Sequence, residues 1–231
     1  MNTEHRYAND GQLVADLAAR IGLLLSSAVT ERGRAVLAVS GGRSPIPLFA
    51  ALSSLDLPWS AITVTLVDER CVTPNHPDSN ARLVREHLLQ GLAAVARFVP
   101  FFNSAPGNDG FGHLCAEAEA RLATLPPPAD VALLGMGADG HTASLFPNSP
   151  GFAQAVVKGQ GLQCVQVHPA AAPHARITLT LDALLAARHR LLQFSGADKL
   201  AVYEQAKTAA NPDLPVSLVL HGAPTEVWIG E

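Results

Sequence analysis

Hydrophobic residues along this chain recur at two spacings, one typical of helices and the other of buried strands. Leu13, Leu17, Ile21 and Leu24 are separated by three or four positions, which predicts a first helix. Similar stripes predict helices within 79–92, over 114–125 before the prolines at 126–128, and around 200–206. Short apolar runs predict strands in RAVLAVSGG (34–42), ITVTLVDER (62–70), ARFVPFF (96–102), DVALLGMG (130–137), QCVQVHP (163–169), RITLT (176–180), HRLLQFSG (189–196) and EVWIG (226–230).

The alternation of these strands and helices favours one architecture. It predicts an α/β fold, a mostly parallel sheet flanked by helices on both faces. Ligands of such sheets bind outside the carboxyl ends of the strands. SGGRSP (40–45), DER (68–70), GMGADGH (135–141) and SGADK (195–199) each follow a predicted strand, so we expect them at one edge. No repeat or linker divides the 231 residues, which predicts a single domain over 1–231.

Composition and charge narrow the class of partner. The formal net charge of −4, with no basic cluster, predicts no nucleic-acid partner. The N-terminal residues lack the pattern of a secretory signal, and Asp16 and Arg20 interrupt the apolar run 13–29, so no membrane partner is expected. Cys71, Cys115 and Cys164 are far apart in the sequence, which favours a reducing compartment and a cytoplasmic location.

The glycines at 135, 137 and 140 spell G-x-G-x-x-G, a pattern shared with dinucleotide-binding turns. That site needs a long helix directly after the glycines and an acidic strand end about 20 residues later. Pro147 and Pro150 prevent such a helix, and the segment that follows contains no such strand end. The pattern therefore does not predict a dinucleotide cofactor.

The segment SGGRSP has the features of an anion site. Gly41 and Gly42 allow a sharp turn with exposed N–H groups, Pro45 suits the first turn of a following helix, and Arg43 and Ser44 add donors. The same letters also fit a plain strand-to-helix turn. A Walker loop is excluded, because its glycine–lysine spacing is missing.

Several polar residues are candidates for chemistry. His141, beside Asp139 in a glycine-rich turn, has the side chain of a general base, although a loop histidine can also merely bond a carbonyl. Asp68, Glu69 and Arg70 form a charged cluster that a solvated loop would equally explain. Arg176 and Lys199 taken singly resemble surface cations.

Nine histidines are present without a recognised ligand spacing, so no metal is predicted. Cys71 beside Arg70 suggests a lowered thiol pKa, but no histidine pattern supports a nucleophile.

Taken together, these segments resemble the glucosamine-6-phosphate isomerase/6-phosphogluconolactonase family. The matching blocks are SGGRSP, VDER, HPDSNARL (76–83), GMGADGHTASLFP (135–147), PHARITLT (173–180) and SGADK, in this order and spacing. The resemblance implies a Rossmann-like fold without dinucleotide binding and no cofactor. It also implies hydrolysis of 6-phospho-D-glucono-1,5-lactone to 6-phospho-D-gluconate, the second step of the oxidative pentose phosphate pathway, with a small phosphorylated sugar lactone as partner.

The resemblance also implies a role for individual residues. His141, with Asp139 beside it, would activate water, Arg70 would position the substrate and Asp68 would be an active-site acid. The substrate-binding residues would be Gly41, Gly42, Arg43, Ser44, Asn80, Gly137, Arg176 and Lys199, with the SGGRSP loop, Arg176 and Lys199 on the 6-phosphate. One departure stands out, because a proline pair often precedes the Arg-Ile-Thr segment and this chain has Pro173, His174 and Ala175 there.

Two other functions are open to a chain of this pattern. A glucosamine-6-phosphate deaminase would carry a glutamate just before the proline that ends the glycine–histidine block, whereas this chain has Phe146 before Pro147. A non-catalytic sugar-phosphate sensor would need a DNA-binding segment, and residues 1–33 predict one helix without a helix-turn-helix pair. An esterase for unphosphorylated lactones would leave Arg176 and Lys199 without a role.

Overall fold

The computed structural model describes residues 2–105, 107, 111–170 and 172–231. In chain order, its strands are β1 (Thr3–Tyr7), β2 (Ala35–Val39), β3 (Ile62–Leu66), β4 (Asp68–Arg70), β5 (Arg97–Val99), β6 (Val131–Gly135), β7 (Cys164–Val167), β8 (Arg176–Leu179), β9 (His189–Ser195) and β10 (Glu226–Gly230). Its α-helices are α1 (Asp10–Arg32), α2 (Ile46–Ser53), α3 (Asn80–His87), α4 (Gly112–Leu122), α5 (Phe152–Val156), α6 (Leu181–Ala186), α7 (Ala197–Ala206) and α8 (Pro215–Gly222).

Seven strands form a parallel sheet at the centre of the molecule, in the order β1-β10-β9-β6-β2-β3-β5. All five residues of β2 are buried, as are four of the five in β6. Successive side chains point to opposite faces of a sheet, so a strand buried throughout is covered on both faces. The predicted α/β fold with a mostly parallel sheet is therefore confirmed.

A second, three-stranded sheet has the order β4-β8-β7 and is antiparallel. The prediction of one strand over 62–70 was wrong, because the chain leaves the large sheet after Leu66 and pairs Asp68–Arg70 with β8. Val67 joins the two sheets, since its N–H donates to Val39 (3.0 Å) and its carbonyl accepts from Leu179 (2.8 Å). The segments predicted at 163–169 and 176–180 supply the other two strands.

Helix α1 packs along the large sheet. Leu13, Leu17, Ile21 and Leu25 are each at most 1% exposed, while Asn9 caps its first turn and Gly33 ends it in the left-handed conformation. This helix is long enough and apolar enough (mean hydropathy 1.6) to cross a membrane. Length and hydropathy alone do not distinguish such a span from a core helix that is mostly buried. Its buried face contacts the sheet strands and helix α2.

Two predicted helices are shorter than their apolar stripes. Helix α3 ends at His87 instead of reaching residue 92, because a 3-10 turn over Gly91–Val95 begins with Gly91 at a φ of 53°. Leu92 is 52% exposed and is no part of the helix stripe. Helix α4 ends at Leu122, and Leu125 follows it in a half-buried turn.

Because the strands of the large sheet are parallel, their carboxyl ends lie at one edge, and the polar segments of the sequence follow these ends. Strands β2, β6 and β9 are neighbours and all end at the same edge of the sheet. The residues that follow them are Ser40, Met136 and Gly196, each at the start of one of the predicted polar segments. The small sheet brings Asp68 and Arg70 to the same place through Val67.

Candidate active site

A cavity of about 260 Å³ lies at this edge, between the carboxyl ends of β2, β6 and β9 and the small antiparallel sheet. The structure brings most of the predicted site residues to its wall: Gly41, Gly42, Ser44, Asp68, Arg70, Asn80, Gly137, His141, Arg176 and Lys199. Arg43 is exposed and is not among the residues that line the cavity. Asp139 does not line the cavity either, but it contacts His141, which does.

His141 and Asp139 form an imidazole–carboxylate pair. Nδ1 of His141 lies 2.5 Å from Oδ1 of Asp139, and the same carboxylate accepts the backbone N–H of His141 at 3.2 Å. A carboxylate accepts only, so Nδ1 carries the proton and Nε2 is the basic nitrogen. The hydrogen bond to His141 holds the pKa of the Asp139 carboxyl below its ordinary value. The pair thus has the orientation that a general base requires.

The turn around His141 depends on two glycines. Gly137 N–H donates to the His141 carbonyl (2.9 Å), and a Cβ on Gly137 would overlap the imidazole and the Asp139 carboxylate. Gly140 has a φ of 78°, in the left-handed region that glycine adopts without strain. The imidazole therefore lies directly on the backbone of Gly137, which explains why glycine is needed there without any nucleotide.

Phe146 supports both the imidazole and a cation. Its ring stacks on His141 with centroids 4.1 Å apart, and the Arg176 guanidinium carbon lies 5.7 Å from its centroid. The ring is 7% exposed, so it forms an apolar base beneath these two polar groups.

Arg70 and Arg176 face each other across β4 and β8. They are register partners in the antiparallel ladder, so their side chains leave the same face of the small sheet. Arg70 donates to the Asp78 carbonyl (2.6 Å), and Arg176 to the His174 carbonyl (3.3 Å). Burial, with the Arg70 charge adding to it, lowers the pKa of Arg176. Arginine remains protonated nevertheless, so two positive charges share one wall of the cavity.

Asp68 places a carboxylate beside Arg176. It is 5% exposed and accepts from Ser144 Oγ at 2.5 Å and from Asn80 Nδ2 at 3.2 Å, with Arg176 Nη1 at 3.9 Å. Ser144 was missed at the sequence level, because nothing in its local pattern indicates that it meets a residue 76 positions away. Asp68 thus balances part of the positive charge of the arginine wall.

Glu69 points away from the cavity and has a structural role. Its carboxylate accepts the backbone N–H groups of Arg70, Asn80 and Ala81, each at 2.7 Å, and the Ser79 hydroxyl at 3.1 Å. It thereby caps the first turn of α3. Burial raises the pKa of Glu69, and the backbone N–H donors oppose that shift. The interpretation of 68–70 as a solvated loop was wrong, because all three residues form a strand.

Some residues that line the cavity carry hydrogen-bonding groups without a partner. Among the described residues, Arg70 Nε and Asn80 Oδ1 are buried without a hydrogen-bond partner. The N–H groups of Gly41 and Gly42 likewise donate to no acceptor in the described part of the chain. A Cβ at Gly41 would overlap the Asn80 amide, so glycine lets these two segments touch. Such groups are available to a polar ligand.

Lys199, Ser40 and Gln193 also line the cavity. Lys199, in the first turn of α7, is half-buried and forms no salt bridge with any described residue. Gln193 was not predicted as a site residue, and Ser40 was predicted only as part of the SGGRSP loop. Ser40 Oγ donates to the Leu133 carbonyl (3.0 Å) and accepts from Gly135 N–H (3.3 Å). Ser40 ties β2 to β6 at the cavity floor. Three cations against one carboxylate make this wall suitable for a small anion.

Cys71, next to Arg70, does not behave as the sequence suggested. Its side chain is buried, and burial raises the pKa of the thiol to about 12. The nearby Glu69 carboxylate adds to the shift. A thiolate is therefore absent near neutral pH, and the idea of a lowered pKa was wrong.

An imidazole–carboxylate pair and a cationic wall at the strand ends of a parallel sheet define an α/β enzyme for a small anionic substrate. Comparison with known proteins is more specific. Residues 8–228 match the family described as glucosamine-6-phosphate isomerases/6-phosphogluconolactonase, and the chain belongs to this family.

Named relatives and a solved structure share most of the chain. A 6-phosphogluconolactonase of Pseudomonas aeruginosa is 45% identical over 213 residues, 92% of this chain and 88% of the relative. One from Neisseria meningitidis serogroup B is 42% identical over 217 residues, 94% and 93% respectively. The crystal structure of a 6-phosphogluconolactonase from Shewanella baltica superposes with a TM-score of 0.90 at 37% identity, covering 100% of this chain and 98% of that one. The resemblance inferred from the sequence blocks is thus confirmed.

Proposed function

We infer that this protein hydrolyses 6-phospho-D-glucono-1,5-lactone to 6-phospho-D-gluconate, the second step of the oxidative pentose phosphate pathway. The observation that carries this inference is that one cavity holds both the His141–Asp139 pair and the arginine wall. The first suits activation of water, and the second suits a phosphate group. Relatives of up to 45% identity that are named 6-phosphogluconolactonase support the same activity.

His141 is the proposed general base. Its Nε2 takes a proton from a water that adds to C1 of the lactone, and the resulting imidazolium protonates the ring oxygen as the C1–O bond breaks. Asp139 holds the required tautomer through Nδ1 and stabilises the imidazolium by its charge. A lactone is an ester, so these proton transfers need neither metal nor organic cofactor.

The 6-phosphate is assigned to the cations and to the glycine turn. Arg176 and Lys199 provide charge, and the free N–H groups of Gly41 and Gly42, with Ser44, provide neutral donors. Arg70 positions the sugar through its unpartnered Nε, and Asn80 shapes the wall beside Gly41. Binding energy from this remote group orients C1 toward His141.

Asp68 has a different proposed role. Its carboxylate is held by Ser144 and Asn80, which fixes its position beside Arg176. A fixed negative charge beside Arg176 attracts its guanidinium group and holds it at the cavity wall. Asp68 therefore acts as an active-site acid that positions the cations.

Phe146 argues against the deaminase alternative. In this chain the residue before Pro147 is an apolar ring packed against His141 and Arg176. Opening of an amino-sugar ring needs an acid–base partner, which the resemblance places at this position as a glutamate. A phenylalanine supplies none, whereas lactone hydrolysis does not require it.

The proposed setting follows from the same features. The partner is a small phosphorylated sugar lactone, and three free cysteines favour the cytoplasm as location. A single lactonase domain over residues 1–231 stays a prediction.

A coupled assay tests the function directly. 6-Phosphogluconolactone is generated freshly from glucose 6-phosphate, and formation of 6-phosphogluconate is followed with excess 6-phosphogluconate dehydrogenase. We expect the protein to accelerate product formation far beyond spontaneous hydrolysis and to release no ammonia from glucosamine 6-phosphate. A rate equal to the spontaneous one, or deamination of the amino sugar, would overturn the proposal.

A further inference from the structure

Three potential metal ligands converge outside the reaction cavity. His76 and Asp78 lie just before α3, and His174 lies just before β8. One ligand atom from each side chain lies within 4.8 Å of the other two. None of the three lines the cavity. His174 is also the residue at which this chain departs from the proline pair that the family resemblance leads one to expect.

The geometry is close to that of a metal centre. Asp78 Oδ2 lies 2.9 Å from His174 Nε2 and 3.8 Å from His76 Nδ1, and the two imidazole rings meet edge to face with centroids 5.4 Å apart. Ligand atoms around a tetrahedral zinc ion lie about 3.3 Å apart, since each is about 2.0–2.1 Å from the ion. The two separations from Asp78 lie on either side of that value, and the two ring nitrogens lie within 4.8 Å of each other. All three side chains are partly or fully exposed, so small rotations suffice.

The two nitrogen atoms differ in their readiness to accept an ion. His76 Nδ1 accepts the backbone N–H of Asp78 at 3.1 Å, so this nitrogen carries no proton in the structure. A bound ion would replace that single contact. His174 Nε2 lies 2.9 Å from the Asp78 carboxylate, which only accepts, so this nitrogen carries a proton that a bound ion would replace.

We propose that His76, Asp78 and His174 bind one divalent transition-metal ion of the zinc class, with the remaining coordination position open to water. Two imidazoles and one carboxylate favour such an ion over magnesium or calcium, which prefer oxygen ligands. Asp78 and His174 also accept from the cavity arginines through their backbone carbonyls, Arg70 at 2.6 Å and Arg176 at 3.3 Å. Ion binding therefore joins the two segments that support the arginine wall, without an ion at the reacting atoms.

Titration of the metal-free protein with Zn²⁺ by calorimetry tests the site. We expect one ion per chain, and a loss of affinity above tenfold in both His174→Ala and His76→Ala. Removal of an outer-shell partner alone costs about 10–100-fold, and removal of a ligand costs more. His168→Ala, which removes an exposed loop histidine elsewhere, and His141→Ala should bind as the unaltered protein does. Binding that is unchanged in His174→Ala and His76→Ala, or lost in His141→Ala, would overturn the proposal.

Two measurements that do not depend on enzymatic activity complete the test. A concentration of Zn²⁺ about 100 times its Kd should raise the melting temperature by roughly 5–10 °C, and this shift should vanish in His174→Ala. Bound Co²⁺ should show d–d bands without thiolate charge-transfer absorption. Intense charge-transfer absorption would instead assign the ion to Cys115 and Cys164, whose thiols lie close together, and would contradict the site.

Discussion

Arg70 and Arg176 are direct register partners in antiparallel strands, so two guanidinium groups stand side by side on one wall of the cavity. Like charges placed opposite each other across a ladder destabilise a sheet. Asp68 lies 3.9 Å from Arg176 and offsets only one of the two charges. This local cost is consistent with a wall adapted to a ligand that carries two negative charges, such as a phosphate monoester.

The phosphate assignment predicts a specific kinetic change. Arg176→Gln and Lys199→Gln should each raise KM about 10- to 150-fold, because a hydrogen bond to a charged group contributes about 1.5–3 kcal/mol. The value of kcat should change less, because a cation on the phosphate binds the ground state and the transition state about equally. Steady-state kinetics in the coupled assay measures both constants. Normal KM in both variants would reject the assignment.

Arg43 is the matched control on the glycine turn. The sequence resemblance implies that it binds substrate, but its side chain is exposed and does not reach the cavity. Arg43→Gln should therefore change KM by no more than about twofold, the size of an ordinary surface effect. A tenfold rise would show that the turn closes over the substrate and would restore the sequence-based prediction.

Removal of the proposed base should affect the chemical step. His141→Ala should lower kcat about 10²–10⁴-fold, the usual contribution of a positioned acid–base group. Affinity for 6-phosphogluconate, measured by calorimetry, should be retained because the cations are unaltered. His168→Ala serves as the control for loss of an exposed histidine. A His141→Ala enzyme with near-normal kcat would need another base.

Asp139 predicts a pH dependence of stability. Its pKa is lowered in the folded protein, chiefly by the hydrogen bond to His141. A lowered folded pKa gives stability that is present above the unfolded pKa, about 3.9, and is lost as the pH falls through the folded value. Asp139→Asn should accordingly lower the melting temperature at pH 6, and the difference should shrink below about pH 4. A difference that is independent of pH would contradict the pairing.

A substitution at Gly137 should displace the His141 imidazole without removing it. A Cβ at this position overlaps the His141 ring, which is the mobile end of a side chain and can move away. Gly137→Ala should therefore lower kcat markedly while changing the free energy of unfolding by about 1 kcal/mol or less. Gly112→Ala is the control, since no described atom lies within 4 Å of a Cβ built there. Unchanged kcat in Gly137→Ala would show that the position of the ring is unimportant.

The three cysteines should differ in reactivity. Burial raises the pKa of Cys71 to about 12, and hydrogen bonding between the neighbouring thiols lowers the pKa of Cys115 and raises that of Cys164. Brief iodoacetamide treatment at pH 8 should label half-buried Cys115 first and leave Cys71 unlabelled, as mass spectrometry of the peptides would reveal. All three should label in guanidinium chloride. Rapid labelling of native Cys71 would contradict its buried, protonated state.

Sequence patterns predicted the large sheet because its strands are short, apolar and bounded by glycine or charged residues. Strand β1 escaped detection, since it is an edge strand whose letters, Thr-Glu-His-Arg-Tyr, are mostly exposed. Edge strands carry polar side chains, so their pattern lacks the apolar run of a buried strand. The pairing of β4, β8 and β7 in a separate sheet was not predicted, because β4 is far from the other two strands in the sequence and hydrophobic periodicity does not show which strands pair.

The candidate site was predicted in the same uneven manner. Residues within one motif, such as Gly137, Asp139 and His141, were found because their proximity is local. The side chains of Asp68 and Arg70 line the cavity, whereas that of Glu69 does not. This difference follows from the alternation of side chains between the two faces of a strand, which can be read from the sequence once the strand is known. Ser144 and Gln193 reach the site only through tertiary folding, and no local pattern distinguishes them from other polar residues.

A crystal structure of the protein soaked with 6-phosphogluconate tests the central relationship most directly. The account predicts the phosphate on Arg176 and Lys199 and the C1 carboxylate within hydrogen-bonding reach of His141 Nε2, in a single cavity. A product molecule bound elsewhere, or bound with its carboxylate on the arginine wall and its phosphate at His141, would contradict it.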